Sequence, residues 1–119
     1  MIENSWYDAC ATADVSERGT IGVVLNSWPI MICKELGEFY AVINRCSHAE
    51  FPLVGGRVRR GAIICPVHGA TFRLASGDCL ATHMHYAPLR TFRTRVEGVR
   101  VMVEVPSDPP PAAERPSMI

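Results

Sequence analysis

Cys46-Ser47-His48 and Cys65-Pro66-Val67-His68 decide how this chain is read. Each short arm pairs one thiol with one imidazole, and sixteen residues separate His48 from Cys65. Two thiolates and two neutral imidazoles, delivered one of each per loop, match the needs of a [2Fe–2S] centre in which two Cys hold one iron and two His hold the other. A structural zinc site wants Cys pairs and His pairs at close spacing, whereas each arm here mixes the two. The first expectation is one-electron transfer; no general base, nucleophile or substrate pocket is legible.

Working outward, each arm follows a short β-like run, at residues 40–44 and 62–64, so two neighbouring strands can bring two loops to one point. Strand-like segments rich in Val, Ile, Phe and Thr are expected at 20–25, 29–34, 38–44, 62–65, 89–96 and 99–105. Gly37 and Glu97-Gly98 mark the turns of antiparallel hairpins. No long amphipathic helix is visible, and the chain reads as all-β. From Pro106 onward five prolines deny a strand ladder its donors, so residues 106–119 are expected to form a disordered tail behind a single domain at 1–105, with the cluster loops near 45–72.

A chain of 119 residues that is 48% hydrophobic supports one domain with a modest core. Twelve basic residues balance twelve acidic ones, which gives no reason to expect nucleic acid or an anionic membrane as partner. The N-terminus has neither a basic nor an apolar leader region, and no stretch reaches the roughly 18 apolar residues of a membrane span. Five cysteines at irregular spacing fit a reducing compartment, so the expected location is cytoplasmic. Cys10, Cys33 and Cys79 read as ordinary semi-buried thiols, His83 and His85 as a solvent-exposed pair, and Trp6 and Trp28 as core or edge aromatics.

Beyond the arms, Phe51-Pro52-Leu53, Gly56-Arg57-Val58, Gly69-Ala70-Thr71-Phe72, Ser76-Gly77 and Pro88-Leu89 together resemble the Rieske ferredoxins of bacterial ring-hydroxylating dioxygenase systems, over roughly residues 5–105. The resemblance implies a Rieske iron–sulfur fold, an antiparallel β-sandwich with a small cluster-binding subdomain. It also implies a Rieske [2Fe–2S] cluster with Cys46 and Cys65 on the inner iron and His48 and His68 on the outer one. The implied role is electron transfer from an NAD(P)H-dependent flavoprotein reductase to a terminal aromatic-ring-hydroxylating oxygenase, by a monomer that meets its partners briefly and is not itself an enzyme. Rival readings are a small Rieske subunit of a nitrite-reductase-like complex and a redox-sensing binding module.

In the membrane-complex members of the wider family, each cluster loop carries a further Cys and the two are disulfide-bonded; Ala49, Glu50, Pro66 and Val67 leave no such partner here. Ser and Tyr hydroxyls near the cluster in those proteins match Ala70 and Phe72 of this chain. Hydrogen bonds to cluster sulfurs favour the more negative reduced form, so their loss places the expected potential toward the low end of the Rieske range, on the order of −150 mV. Residues 78–87 depart from the family's proline-rich turn. Phe51, Pro52 and Leu53 are expected to form an exposed apolar patch at the cluster, and Arg45, Arg57, Arg59 and Arg60 a basic group beside it.

Overall fold

In the computed structural model the described residues are 4–47, 51–67, 69–80, 86–111 and 114. Ten strands run β1 (Asn4–Ala11), β2 (Thr20–Leu25), β3 (Trp28–Glu35), β4 (Glu38–Ile43), β5 (Arg57–Arg59), β6 (Ala62–Ile64), β7 (Thr71–Arg73), β8 (Thr91–Phe92), β9 (Thr94–Glu97) and β10 (Arg100–Pro106), with one 3-10 turn at Thr12–Asp14. They form three antiparallel sheets, ordered β1-β10-β9, β2-β3-β4-β8 and β5-β6-β7. Among the described residues no helix is long and apolar enough to cross a membrane.

The first two sheets make the body of the sandwich. Strand β3 lies between β2 and β4, and its run Trp28-Pro29-Ile30-Met31-Ile32-Cys33 is buried throughout, as a near-continuous apolar strand covered on both faces must be. Pro29, which has no N–H to give, sits near the beginning of β3 and only accepts, from Asn44 N–H at 2.8 Å. Strand β10 instead alternates, sending Val101, Val103 and Val105 fully into the core while Arg100, Met102 and Glu104 face outward. Each such valine contributes about 1.5–3 kcal/mol by leaving water.

Three strands were not foreseen, one long and two short. Strand β1 carries a bulge between Asp8 and Cys10 that breaks its alternation, and β5 and β7 are three residues long. The strand expected at 89–96 is divided, because the chain changes sheets at Arg93: β8 pairs with β4, and β9 with β10.

Within the segment expected to be a disordered tail, the described residues contact the body. Asn26 Nδ2 donates to the carbonyls of Pro106 (2.9 Å) and Ser107 (3.0 Å), and Trp28 Nε1 to that of Asp108 (3.0 Å). Pro110 is fully buried, and the Glu114 carboxylate takes both Nε and Nη2 of Arg90 at 3.0 Å, with that guanidinium lying 4.8 Å over the Trp28 ring. Prolines lack a donor but keep the carbonyl, and this clasp uses the backbone only as acceptor.

Candidate metal centre

The third sheet, β5-β6-β7, carries the second arm between β6 and β7, and the loop with the first arm runs into it from β4. Register pairs Val58 with Ile63 and Ile63 with Phe72, and these three side chains form its buried inner face. Its β5–β6 turn is tied to the body by the buried Glu35 carboxylate, which accepts from Gly61 N–H and lies 3.8 Å from Arg18 Nε. A carboxylate that shielded needs such partners, and it fixes the sheet against the end of β3.

One arm lies in the loop after β4, at residues 44–56. Asn44 Oδ1 accepts from Leu53 N–H (2.8 Å) and Val54 N–H (2.9 Å), and Thr20 Oγ1 accepts from Gly55 N–H at 2.8 Å, so the loop folds back on itself. Gly56 is required where it stands, since a Cβ there would meet Ile64 O at 2.4 Å. The other arm lies between β6 and β7, at residues 65–70.

The two loops close in the same way. Cys46 N–H donates to Phe51 O at 2.9 Å and Cys65 N–H to Ala70 O at 2.7 Å, a span of five residues in both cases. Both cysteines are buried, 1% and 2% exposed, and neither is in a disulfide. Sequence reading missed this likeness because the closing acceptors are backbone carbonyls, which no residue type announces.

His48 and His68 lie outside the described residues, as do His83 and His85. Of the four expected ligands the structure therefore places Cys46 and Cys65, one at the base of each loop. Two buried thiols outside any disulfide, on matched turns, suit a shared metal centre: thiolates are the soft donors that iron–sulfur chemistry requires, and an apolar setting keeps water away.

The remaining cysteines are set apart by their surroundings. Burial, with a smaller push from Glu35, raises the Cys33 thiol to about 12, and burial followed by Asp14 raises Cys10 as well. Both stay protonated near neutral pH and act as small apolar side chains. Cys79 is half-buried beside Phe72, its partner in an isolated β-bridge.

A third segment borders the first arm. Ser47 Oγ donates to Ala87 O at 2.6 Å, and Leu89 N–H donates to Gly77 O at 2.8 Å. Gly77 has φ +82°, and a Cβ there would lie 2.0 Å from Leu89 O, so only glycine lets the two segments meet. The expected apolar patch is corrected: Leu53 is fully buried and Phe51 and Pro52 half-buried, because the turn after Cys46 packs inward. Among the described residues, Val67 within the second arm and Leu80, whose N–H donates to Thr71 O, are exposed large apolar side chains. Ala70 and Phe72 are both buried, so neither position brings a hydroxyl to the loops.

Residues 5–93 match the family described as the Rieske [2Fe-2S] domain. The chain is 35% identical over 95 residues to apoptosis-inducing factor 3 of Homo sapiens, covering 79% of this chain but only 15% of that protein's length. It is 31% identical over 96 residues to the ferredoxin component of biphenyl 2,3-dioxygenase of Rhodococcus jostii, covering 81% of this chain and 89% of that one. Among solved structures it superposes, with TM-score 0.74 and 26% identity, on a chain of the complex of reduced oxygenase and oxidized ferredoxin in carbazole 1,9a-dioxygenase, covering 82% of this chain and 91% of that one.

Proposed function

Because the chain belongs to the Rieske [2Fe-2S] domain family, with that cluster as its cofactor, we propose that it is an electron carrier that passes single electrons to a terminal aromatic-ring-hydroxylating oxygenase. In this reading Cys46 and Cys65 hold the inner iron and His48 and His68 the outer one. The cluster supplies a one-electron couple, formally neutral when oxidised and carrying one negative charge when reduced. The observation that carries the reading is the matched closure of two loops, each burying one of the two thiols.

The protein's part is positional. Asn44, Thr20 and the Cys46 and Cys65 amides hold the loops in place, while Phe72 and Leu53 keep the inner side dry. An electron donor is also required, and a flavoprotein reductase using NAD(P)H fits a low potential. Brief encounters with each partner favour a monomer with an interface below roughly 1,200 Å². Five cysteines, none of them in a disulfide, support a reducing, cytoplasmic setting. Alignment with nearly the full length of a stand-alone ferredoxin component supports the carrier role over that of a domain serving a larger enzyme.

A dithionite titration of anaerobically prepared holo-protein tests the proposal. Uptake of one electron per chain at a midpoint toward the low end of the Rieske range is expected, followed by re-oxidation on mixing with an oxidised Rieske oxygenase. A midpoint well above zero would refute the potential argument, and failure to re-oxidise would refute the carrier role.

A further inference from the structure

The outer face of the β5-β6-β7 sheet has exposed arginines around a buried Ala62, and its composition follows from register. Arg57 pairs with Ile64 and Ile64 with Thr71; one step further from the arms, Arg59 pairs with Ala62 and Ala62 with Arg73. Directly opposed residues share a face, so Arg57, Arg59 and Arg73 stand together on the side opposite Val58, Ile63 and Phe72. Strand geometry sets Arg57 and Arg59 about 7 Å apart and Arg59 and Arg73 roughly 10 Å apart. All three are exposed, and none has a carboxylate of a described residue within ion-pair distance. Other arginines of the body are engaged: Arg90 with Glu114, Arg95 with Glu97, Arg100 with Asp8. Arg60, at the turn, borders a cavity shared with Glu35 and Glu38 and is not counted on this face.

The neutral total conceals an uneven distribution. Residues 45–80 contain five arginines against Glu50 and Asp78, a formal +3, and the rest of the chain therefore carries −3. The stretch of chain that holds the two arms is the positive one. Arg57 of β5 pairs with Ile64 of β6, which is itself next to Cys65, so the basic face begins where the second arm starts.

We infer that this sheet face docks an acidic protein surface, that of a redox partner whose electron port is ringed by carboxylates. The inference rests on the carrier reading above and adds the orientation and the chemistry of the encounter. Arginines without a carboxylate partner on a short-stranded sheet keep their charge available to a partner and can donate to its carboxylates two-pronged. The charge separation along the chain turns the positive stretch toward that partner before contact, which speeds association and suppresses unproductive orientations. Nucleic acid is the poorer fit: binders of single strands interleave cations with stacking aromatics, and the other residues on this face are Ala62, Ile64 and Thr71.

Retention of the holo-protein on gold bearing a carboxylate-terminated monolayer, read by surface plasmon resonance with voltammetry on the same chip, tests the inference. Arg59→Gln/Arg73→Gln should lower retention at low salt by about tenfold, with the difference fading near 1 M salt as the screening length falls to about 3 Å. Arg93→Gln/Arg95→Gln, an equal charge change on β9 and the residue before it, should leave retention unaltered. Equal losses from both pairs, or no loss from either, would overturn the inference, as would tighter retention on immobilised DNA than on carboxylate. Reduced samples are checked by EPR. A mixed His/Cys signal without the contrast between pairs sinks the docking face alone, and absence of that signal sinks the carrier reading and this inference with it.

Discussion

The sandwich body and the cluster-bearing sheet are built by opposite means. Strands β1, β3 and β10 run seven or eight residues and are held by long registers, β1 with β10 and β3 with β2 and β4, and by buried rows such as Val101, Val103 and Val105. Strands β5, β6 and β7 run three residues each and offer three inward side chains, too few for a sheet to stand alone. What holds the small sheet is its attachment: the Glu35–Gly61 bond, the Asn44 and Thr20 loop bonds and the Gly77–Leu89 contact. Rigidity is thus concentrated in the body and lent to the site, so the two regions should fail separately.

The largest effect expected from breaking that division is at the thiols. Cys46→Ala or Cys65→Ala should abolish the visible chromophore altogether while leaving the far-ultraviolet strand signature of the body; a variant that keeps its colour would remove that cysteine from the ligand set. Next is a paired comparison of core truncations. Ile32→Ala and Phe72→Ala should cost about 2–5 and 3–5 kcal/mol respectively. In calorimetry the first should lower the main unfolding transition, whereas the second should bleach the cluster well before the body melts; a single coincident transition in both would erase the distinction.

Iron removal sharpens the comparison without mutation. A metal centre that bridges two loops contributes its binding energy to the folding of those loops. Chelation should therefore raise amide hydrogen exchange across residues 57–73 while β3 and β10 stay protected, as measured by mass spectrometry. Uniform loss of protection would mean that the body depends on the cluster too.

A smaller effect is expected at the C-terminal clasp. Glu114→Gln breaks a partly exposed two-pronged ion pair, worth up to about 1 kcal/mol. A drop in Tm that disappears at high salt is the expected sign, and an unchanged Tm would leave the clasp to Trp28, Asn26 and Pro110.

The smallest effect is a matter of pH. Bonds from the Leu36 and Gly37 amides hold the Glu17 carboxyl below its ordinary value of 4.5, so its contribution is present above that value and is lost as pH falls through the lowered one. Glu17→Gln should lower Tm at pH 7, with the gap from wild type closing in acid. A gap that persists at low pH would assign the effect to something other than the charge.

These contrasts also explain what could be read from residues alone. The arms were legible because their chemistry permits few residue types, and β2, β4 and the core of β3 because their apolar patterns extend over six residues or more. Strands β5 and β7 are shorter than any period can reveal, and the bulge at Asp8–Cys10 hides β1. The matched loop closures and the clasp rest on backbone carbonyls of Phe51, Ala70, Pro106, Ser107 and Asp108, which every residue type possesses. Five prolines truthfully reported the absence of ladder donors, but acceptors sufficed. The basic face needed register, since Arg73 lies fourteen positions from Arg59 and joins it only across β6.

The EPR spectrum of the dithionite-reduced protein bears most directly on the central claim that Cys46 and Cys65 share one diiron centre with two imidazoles. A rhombic signal with an average g below the free-electron value, lost on His48→Ala or His68→Ala, is the predicted result. A spectrum of the all-cysteine type, or one indifferent to both histidine substitutions, would contradict it.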